Sequence, residues 1–326
     1  MNRRGSIAAL VALTGGSRGA RAQPAARIAR IGFLSFNLAG DPRGRDAFVR
    51  GLRELGYVDG RDIVVEYRDA GGKAEQLAAL AAELVALKVA LIVAPSTPAA
   101  QAAKQATTTI PIVFAGAADP VTDGFVVSLA RPGDNLTGLS NLGADLVGKR
   151  LELLKQAVPK LTRVAVLWGL APGRTPEDML KTADVAARAL GIQLQLVEVP
   201  RPADLDRAFT DMTRARADAL TILPIATFFS ERKQIIEMAA KNRLPAIYTS
   251  RRFVEDGGLM AYGAELSDLL RRAASYVDRI LKGARVSDLP VEQATKFELV
   301  INRGTAKALG LTIPQSVLLS ADEVVG

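Results

Sequence analysis

The sequence predicts an α/β protein built as two doubly wound parallel-sheet lobes joined by a multi-strand hinge. Three observations carry that prediction. Apolar runs of strand length alternate with segments of helical period along the chain. The same order of landmarks recurs at an offset of 129–135 residues, with Leu91 to Leu220 and Gly56 to Gly191 marking the extremes. A C-terminal stretch of strand and helix patterns then fits neither repeat, so it can cross back and complete both sheets.

The first unit opens with a buried strand over 30–35. A helix over 46–55 follows, with Phe48, Leu52 and Leu55 on one face and Gly56 as its stop. A strand over 62–67, an Ala/Leu helix over 74–87, a strand over 89–94, a helix over 98–106 and a strand over 110–114 complete it. The second unit repeats the theme, with strands over 163–168, 193–199, 218–223 and 244–248. Strand and helix in strict alternation imply parallel sheets covered on both faces. A segment over 258–262, a helix over 266–281, a strand over 296–301 and a short helix over 303–309 make up the tail. The expected division is 28–138 with 259–285 as lobe one, and 139–257 with 286–326 as lobe two.

The first 22 residues read as an export signal. Asn2-Arg3-Arg4-Gly5 is a basic start, 7–13 is a short apolar stretch, and Ala20-Arg21-Ala22 places small residues before Gln23. The paired Arg3-Arg4 raises twin-arginine export, although Gly5-Ser6 stands where that signal has a bulky residue. No later segment reaches the roughly 18 uncharged apolar residues of a membrane span, so the mature chain is expected in solution in the periplasm.

Composition narrows the function. The 326 residues include no Cys and no His. Disulfides, thiolate metal sites, a Cys nucleophile and a Ser-His-Asp triad are therefore excluded, and the commonest general base is missing. Binding without catalysis, cofactor or metal is the expectation. The chain has 42 basic and 34 acidic residues, a net charge of +8. Four of the arginines lie in the leader, and no basic run interleaved with aromatics follows, so nucleic acid is not an expected partner. Neither G-x-G-x-x-G nor G-x-x-x-x-G-K-[ST] follows a strand.

Ligands of open parallel sheets bind outside the carboxyl ends of the strands. The candidate ligand-binding residues are therefore those at or just after the strand ends. In the first unit they are Ser35, Phe36, Ser96, Thr97, Gly116 and Asp119, with Ser140 and Asn141 near the first crossover. In the second they are Trp168, Ile225 and Tyr248, with Tyr262 from the tail. Ser96-Thr97-Pro98 reads as an N-cap with Pro at the first helical position, whose free N–H groups and dipole suit an anion. Asp119 could meet a ligand ammonium or cap its own turn. Trp168, the sole Trp, could stack a flat ligand or pack in the core.

Several longer motifs carry a family resemblance. Gly51-Leu52-Arg53-Glu54-Leu55-Gly56-Tyr57, the stretch from Leu129 to Ser140, Lys149-Arg150-Leu151-Glu152-Leu153-Leu154-Lys155, Leu244-Pro245-Ala246-Ile247-Tyr248, the stretch from Gly257 to Gly263 and Thr295-Lys296-Phe297-Glu298-Leu299-Val300-Ile301-Asn302 resemble the ABC transporter substrate-binding proteins of the tryptophan/tyrosine-type group. The resemblance runs over about 28–325. It implies a type I periplasmic binding fold, capture of a small organic solute such as an amino acid or carboxylate, delivery to an inner-membrane ABC permease, and a monomer. Where relatives have Asn-Pro after the first strand of lobe two, this chain has Gly169-Leu170. Where they carry Asp after the strand ending at Leu223, it has Pro224-Ile225-Ala226. Both departures imply a different or more apolar solute. The alternatives are a periplasmic sensor domain acting on a membrane receptor, which would use the same closure, and a two-lobed enzyme such as a glycosyltransferase, which the missing His and nucleotide loop oppose.

Overall fold

The computed structural model describes residues 28–40, 42–169 and 175–326. The leader expected over 1–22 lies outside them. The chain begins with β1 (Ala29–Ser35), α1 (Pro42–Glu54), β2 (Ile63–Asp69), α2 (Leu77–Ala86), β3 (Leu91–Ala94), α3 (Thr97–Ala106), β4 (Ile112–Ala117) and β5 (Leu136–Ser140). It crosses to α4 (Leu146–Ala157), β6 (Arg163–Trp168), α5 (Thr175–Leu190), β7 (Gln193–Glu198), α6 (Leu205–Arg214), β8 (Ala219–Ile222), α7 (Ala226–Ser230), α8 (Arg232–Lys241), β9 (Ala246–Tyr248), α9 (Arg251–Glu255) and β10 (Met260–Ala264). It returns through α10 (Leu266–Leu281) and β11 (Glu292–Gln293). A last crossing leads to β12 (Phe297–Asn302), α11 (Arg303–Ala308), α12 (Gln315–Leu319) and β13 (Glu323–Val325).

The strands form two sheets, ordered β11-β5-β4-β3-β1-β2 and β13-β12-β10-β9-β8-β6-β7. The first is parallel throughout, and in the second only β10 and β12 run antiparallel. Strand side chains alternate between the two faces. Ile31 and Phe33 of β1 therefore pack under α1 and α10, while Leu34 enters a separate cluster under α2 and α3. The second lobe has its own continuous core. No helix among the described residues is long and apolar enough to cross a membrane.

The strand register divides the tail differently from the expectation. Residues 259–285 were expected in lobe one, yet β10 pairs with β9 and β12 in the second sheet. Residues 286–326 were expected in lobe two, yet β11 pairs with β5 in the first. The whole of β5 also stays in the first sheet, past the expected boundary at 138. A strand's partners are fixed by long-range register, which its local apolar pattern does not encode. The chain thus passes between the lobes three times, after β5, β10 and β11.

Helix α10 follows β10 of lobe two directly but packs on lobe one, against α1. Gly51 makes the crossing possible: a Cβ there would lie 2.3 Å from the Arg271 carbonyl oxygen and 2.9 Å from the Ala274 Cβ. Around that contact the Tyr57 hydroxyl donates to Asp278 at 2.9 Å, and Arg271 donates to Glu54 at 3.2 Å.

Candidate functional site

The carboxyl ends of both sheets face one another across a cavity of about 240 Å³. Lobe one contributes the turn after β1 with Ser35, Phe36 and Asn37, the start of α3 with Ser96 and Thr97, Gly116 of β4, and Asn141 after β5. Lobe two contributes Met179 of α5, Pro224 to Thr227 before and in α7, Phe229 and Ser230, and Thr249 and Ser250 after β9. The walls are therefore mainly apolar, with hydroxyls and amides at the strand ends, the composition typical of small-molecule sites.

Seven of the sequence-predicted residues line the cavity: Ser35, Phe36, Ser96, Thr97, Gly116, Asn141 and Ile225. Ser96 caps α3 as its pattern predicts, its hydroxyl accepting from the Ala99 amide at 3.4 Å. Asn141 spends both ends of its amide locally. Its Nδ2 donates to the Gly116 carbonyl at 2.9 Å, and its Oδ1 accepts from the Gly143 amide at 2.8 Å. That shapes the cavity floor at the crossover.

Five predicted residues lie elsewhere. Asp119 caps its own turn, accepting from the Val121 and Thr122 amides at 3.2 and 3.0 Å. Ser140 is buried in the hinge, where its hydroxyl donates to the Ala118 carbonyl and accepts from the Leu142 amide. Tyr248 is 1% exposed and stacks on Phe253 with ring centroids 4.6 Å apart. Burial raises its hydroxyl well above the usual tyrosine range. Trp168 is half-buried against the core of lobe two. Tyr262 stacks on Phe297, and its backbone carbonyl accepts from Arg150.

Among the described residues, three side-chain contacts bridge the lobes across the cleft. The Asn37 Nδ2 donates to the Ser230 hydroxyl at 3.0 Å. The Arg252 guanidinium donates to the Gly40 carbonyl, and Arg43 pairs with Glu255. Each joins the turn after β1 or the start of α1 to α7 or α9, so each exists only while the lobes are together.

Two charged residues on the wall escaped the sequence reading, Asp123 and Arg150. Arg150 is 1% exposed. Its terminal nitrogens donate to the Tyr262 carbonyl at 3.3 Å and the Gly143 carbonyl at 3.1 Å. Burial pushes its pKa down to about 10, which still leaves it a cation at neutral pH. A signal for it was present. Val147, Arg150, Leu151, Leu154 and Ala157 are the buried face of α4 at helical spacing, so Arg150 occupies an inward position between apolar neighbours.

Two facing doubly wound lobes, three crossovers and a cavity shared between them define a solute-binding protein of the type I periplasmic class, a fold seen in solved binding proteins at 15–16% identity. The chain belongs to the ABC transporter substrate binding protein family, which it matches over residues 40–325. Proteins of this family are exported, bind small-molecule solutes and work with an ABC permease. A tyrosine-binding protein of Clostridioides difficile (strain R20291) is 28% identical over 284 residues, covering 86% of this chain and 79% of that one. An ABC domain from Streptococcus pneumoniae solved in complex with L-Trp has a TM-score of 0.85 at 27% identity, covering 92% of this chain and 100% of that one. The ligand-free, open structure of a substrate-binding protein with adhesive properties from Clostridium difficile has a TM-score of 0.67 at 26% identity, covering 91% and 99%. At nearly equal identity the chain superposes better on the ligand-bound structure than on the open one. That agrees with the three bridges: the lobes stand closed.

Proposed function

We propose that this chain is the solute-capturing subunit of an ABC importer, exported with loss of residues 1–22 and acting in the periplasm as a monomer without catalysis. The solute is a small organic molecule held by Ser35, Phe36, Ser96, Thr97, Gly116, Asn141 and Ile225, and handed to an inner-membrane permease that reads the closed surface. The observation that carries the reading is the cavity itself, walled by both lobes and sealed by contacts between them. A ligand that touches both lobes favours the closed state by its differential affinity for it. The Pro224-Ile225-Ala226 wall supports an apolar body for that solute.

The test is a thermal-shift screen of protein purified from a periplasmic extract. The panel contains L-tyrosine, L-tryptophan, 3-phenylpropanoate, the amides of these acids, and myo-inositol. A binder at 100 times its Kd stabilises the native state by about 2.7 kcal/mol. Small-angle scattering then shows contraction on binding, and intact mass begins at Gln23. Binding without contraction would refute closure, and no binding across the panel would refute capture in this cleft.

A further inference from the structure

We propose that the solute carries a carboxylate and that Arg150 is its receptor, so that the cleft selects organic acids over neutral molecules of the same shape. The inference deepens the solute-binding reading and rests on it. Its basis is a buried charge without a counter-charge. Among the described residues, no carboxylate lies within 4.0 Å of the Arg150 guanidinium, and its Nε–H is buried with no acceptor. Other part-buried arginines of this chain are treated differently: Arg232 meets Asp256 at 2.6 Å, and Arg251 meets Glu298 at 2.9 Å.

Taking an ion out of water unpaired is strongly unfavourable. The two carbonyls that Arg150 reaches, Gly143 and Tyr262, need only neutral donors, which an amide side chain supplies without that penalty. The positive charge is therefore surplus to the structural task. Its position gives it another. Arg150 is part of the cavity wall, beside walls that are otherwise apolar at Leu146, Met179, Ile225 and Phe229. A guanidinium has a planar set of donors that matches a carboxylate, and the pairing strengthens where water is excluded. The N-terminus of α3, ten residues long and capped by Ser96, opens on the same cavity and adds positive potential there.

The test measures each acid of the panel against its own amide by calorimetric titration, in the wild type and in Arg150→Gln. That variant retains a donor for the carbonyls and removes the charge. We expect the wild type to prefer at least one acid over its amide by about 30-fold or more, in line with charge-assisted hydrogen bonds. In Arg150→Gln that preference falls below about threefold. Should Arg150→Gln fail to fold, Arg150→Met, which replaces a buried charge by an apolar chain of similar length, carries the same comparison. Amides that bind the wild type as tightly as acids, or an acid preference that survives loss of the charge, overturns the proposal. Binding of myo-inositol with contraction but of no acid overturns it while leaving solute capture intact. Absence of all binding removes both.

Discussion

Replacing Ser230 by Ala deletes one contact that belongs to the closed state alone. The Asn37 Nδ2 reaches the Ser230 hydroxyl at 3.0 Å from the opposite lobe, 193 residues away in sequence. Ser230 is the last residue of α7, and among the described residues its hydroxyl makes no hydrogen bond besides the one to Asn37, so neither lobe loses an internal hydrogen bond of its own. A neutral hydrogen bond contributes about 1 kcal/mol net. If the unliganded protein is mostly open, that amount passes in full into the apparent affinity and weakens Kd about fivefold. The unliganded melting temperature should hold, since a change away from packed cores stays within about 0.5 kcal/mol. Asn37→Ala is a poorer choice, because the Asn37 Oδ1 also accepts from the Gly40 amide at 2.8 Å and organises its own turn. The assay is calorimetric titration of wild type and Ser230→Ala with the tightest-binding compound of the panel, beside a thermal melt of each without ligand. Equal affinities would show that the bridge adds nothing to closure. A melt that drops as far as the affinity does would show that Ser230 supports the fold instead.

Two further perturbations test the architecture. Gly51→Ala should destabilise: helix propensity alone favours Ala by about 1 kcal/mol, but its Cβ would sit 2.3 Å from the Arg271 carbonyl oxygen, and overpacking against backbone outweighs the gain to leave a net loss of about 2 kcal/mol. Urea unfolding that shows equal or higher stability would sink the close α1–α10 crossing. Asp268 is 5% exposed and faces Lys296 at 3.0 Å and Arg271 at 3.2 Å. Burial raises its pKa, but the hydrogen bonds from Lys296 and Arg271 outweigh that and hold it below the ordinary 3.8. Its stabilisation is therefore fully present above about pH 4 and is lost as the pH falls through the depressed value. Asp268→Asn should cost about 2 kcal/mol at pH 7, with the difference from wild type shrinking in acid; a difference independent of pH would refute the pairing.

The repeated strand and helix order could be read from local pattern because each element carries its own period. Helix α10 has the bounds expected for it, 266–281, because its apolar face and its polar stops are both local. Side-chain direction at strand ends was harder. Successive residues point to opposite faces, so an aromatic at a strand end faces the cleft or the core according to where the strand stops. Tyr248 is still inside β9 and packs inward, and the cavity wall begins one residue later at Thr249. Trp168 likewise closes β6 against its own lobe. Arg150 was hidden for the opposite reason: a basic residue in a helix normally faces water, and only the spacing of Val147, Leu151 and Leu154 shows that this one cannot.

The docking of α10 on α1 also sets a timetable. Tyr57 and Asp278, which meet in that contact, are 221 residues apart in the chain. Synthesis runs at about 5–20 residues per second, so roughly 10–45 s separate the emergence of the two partners. During that interval the first sheet exists as nascent chain with one apolar face, that of Ile31 and Phe33, still uncovered by α10. The second lobe through β10 must be made before the first can close its core, and β12 and β13 of the second sheet follow only afterwards. Neither lobe can therefore be produced as one uninterrupted fragment, and a cut placed between β10 and α10 would separate the first lobe from half of its own roof.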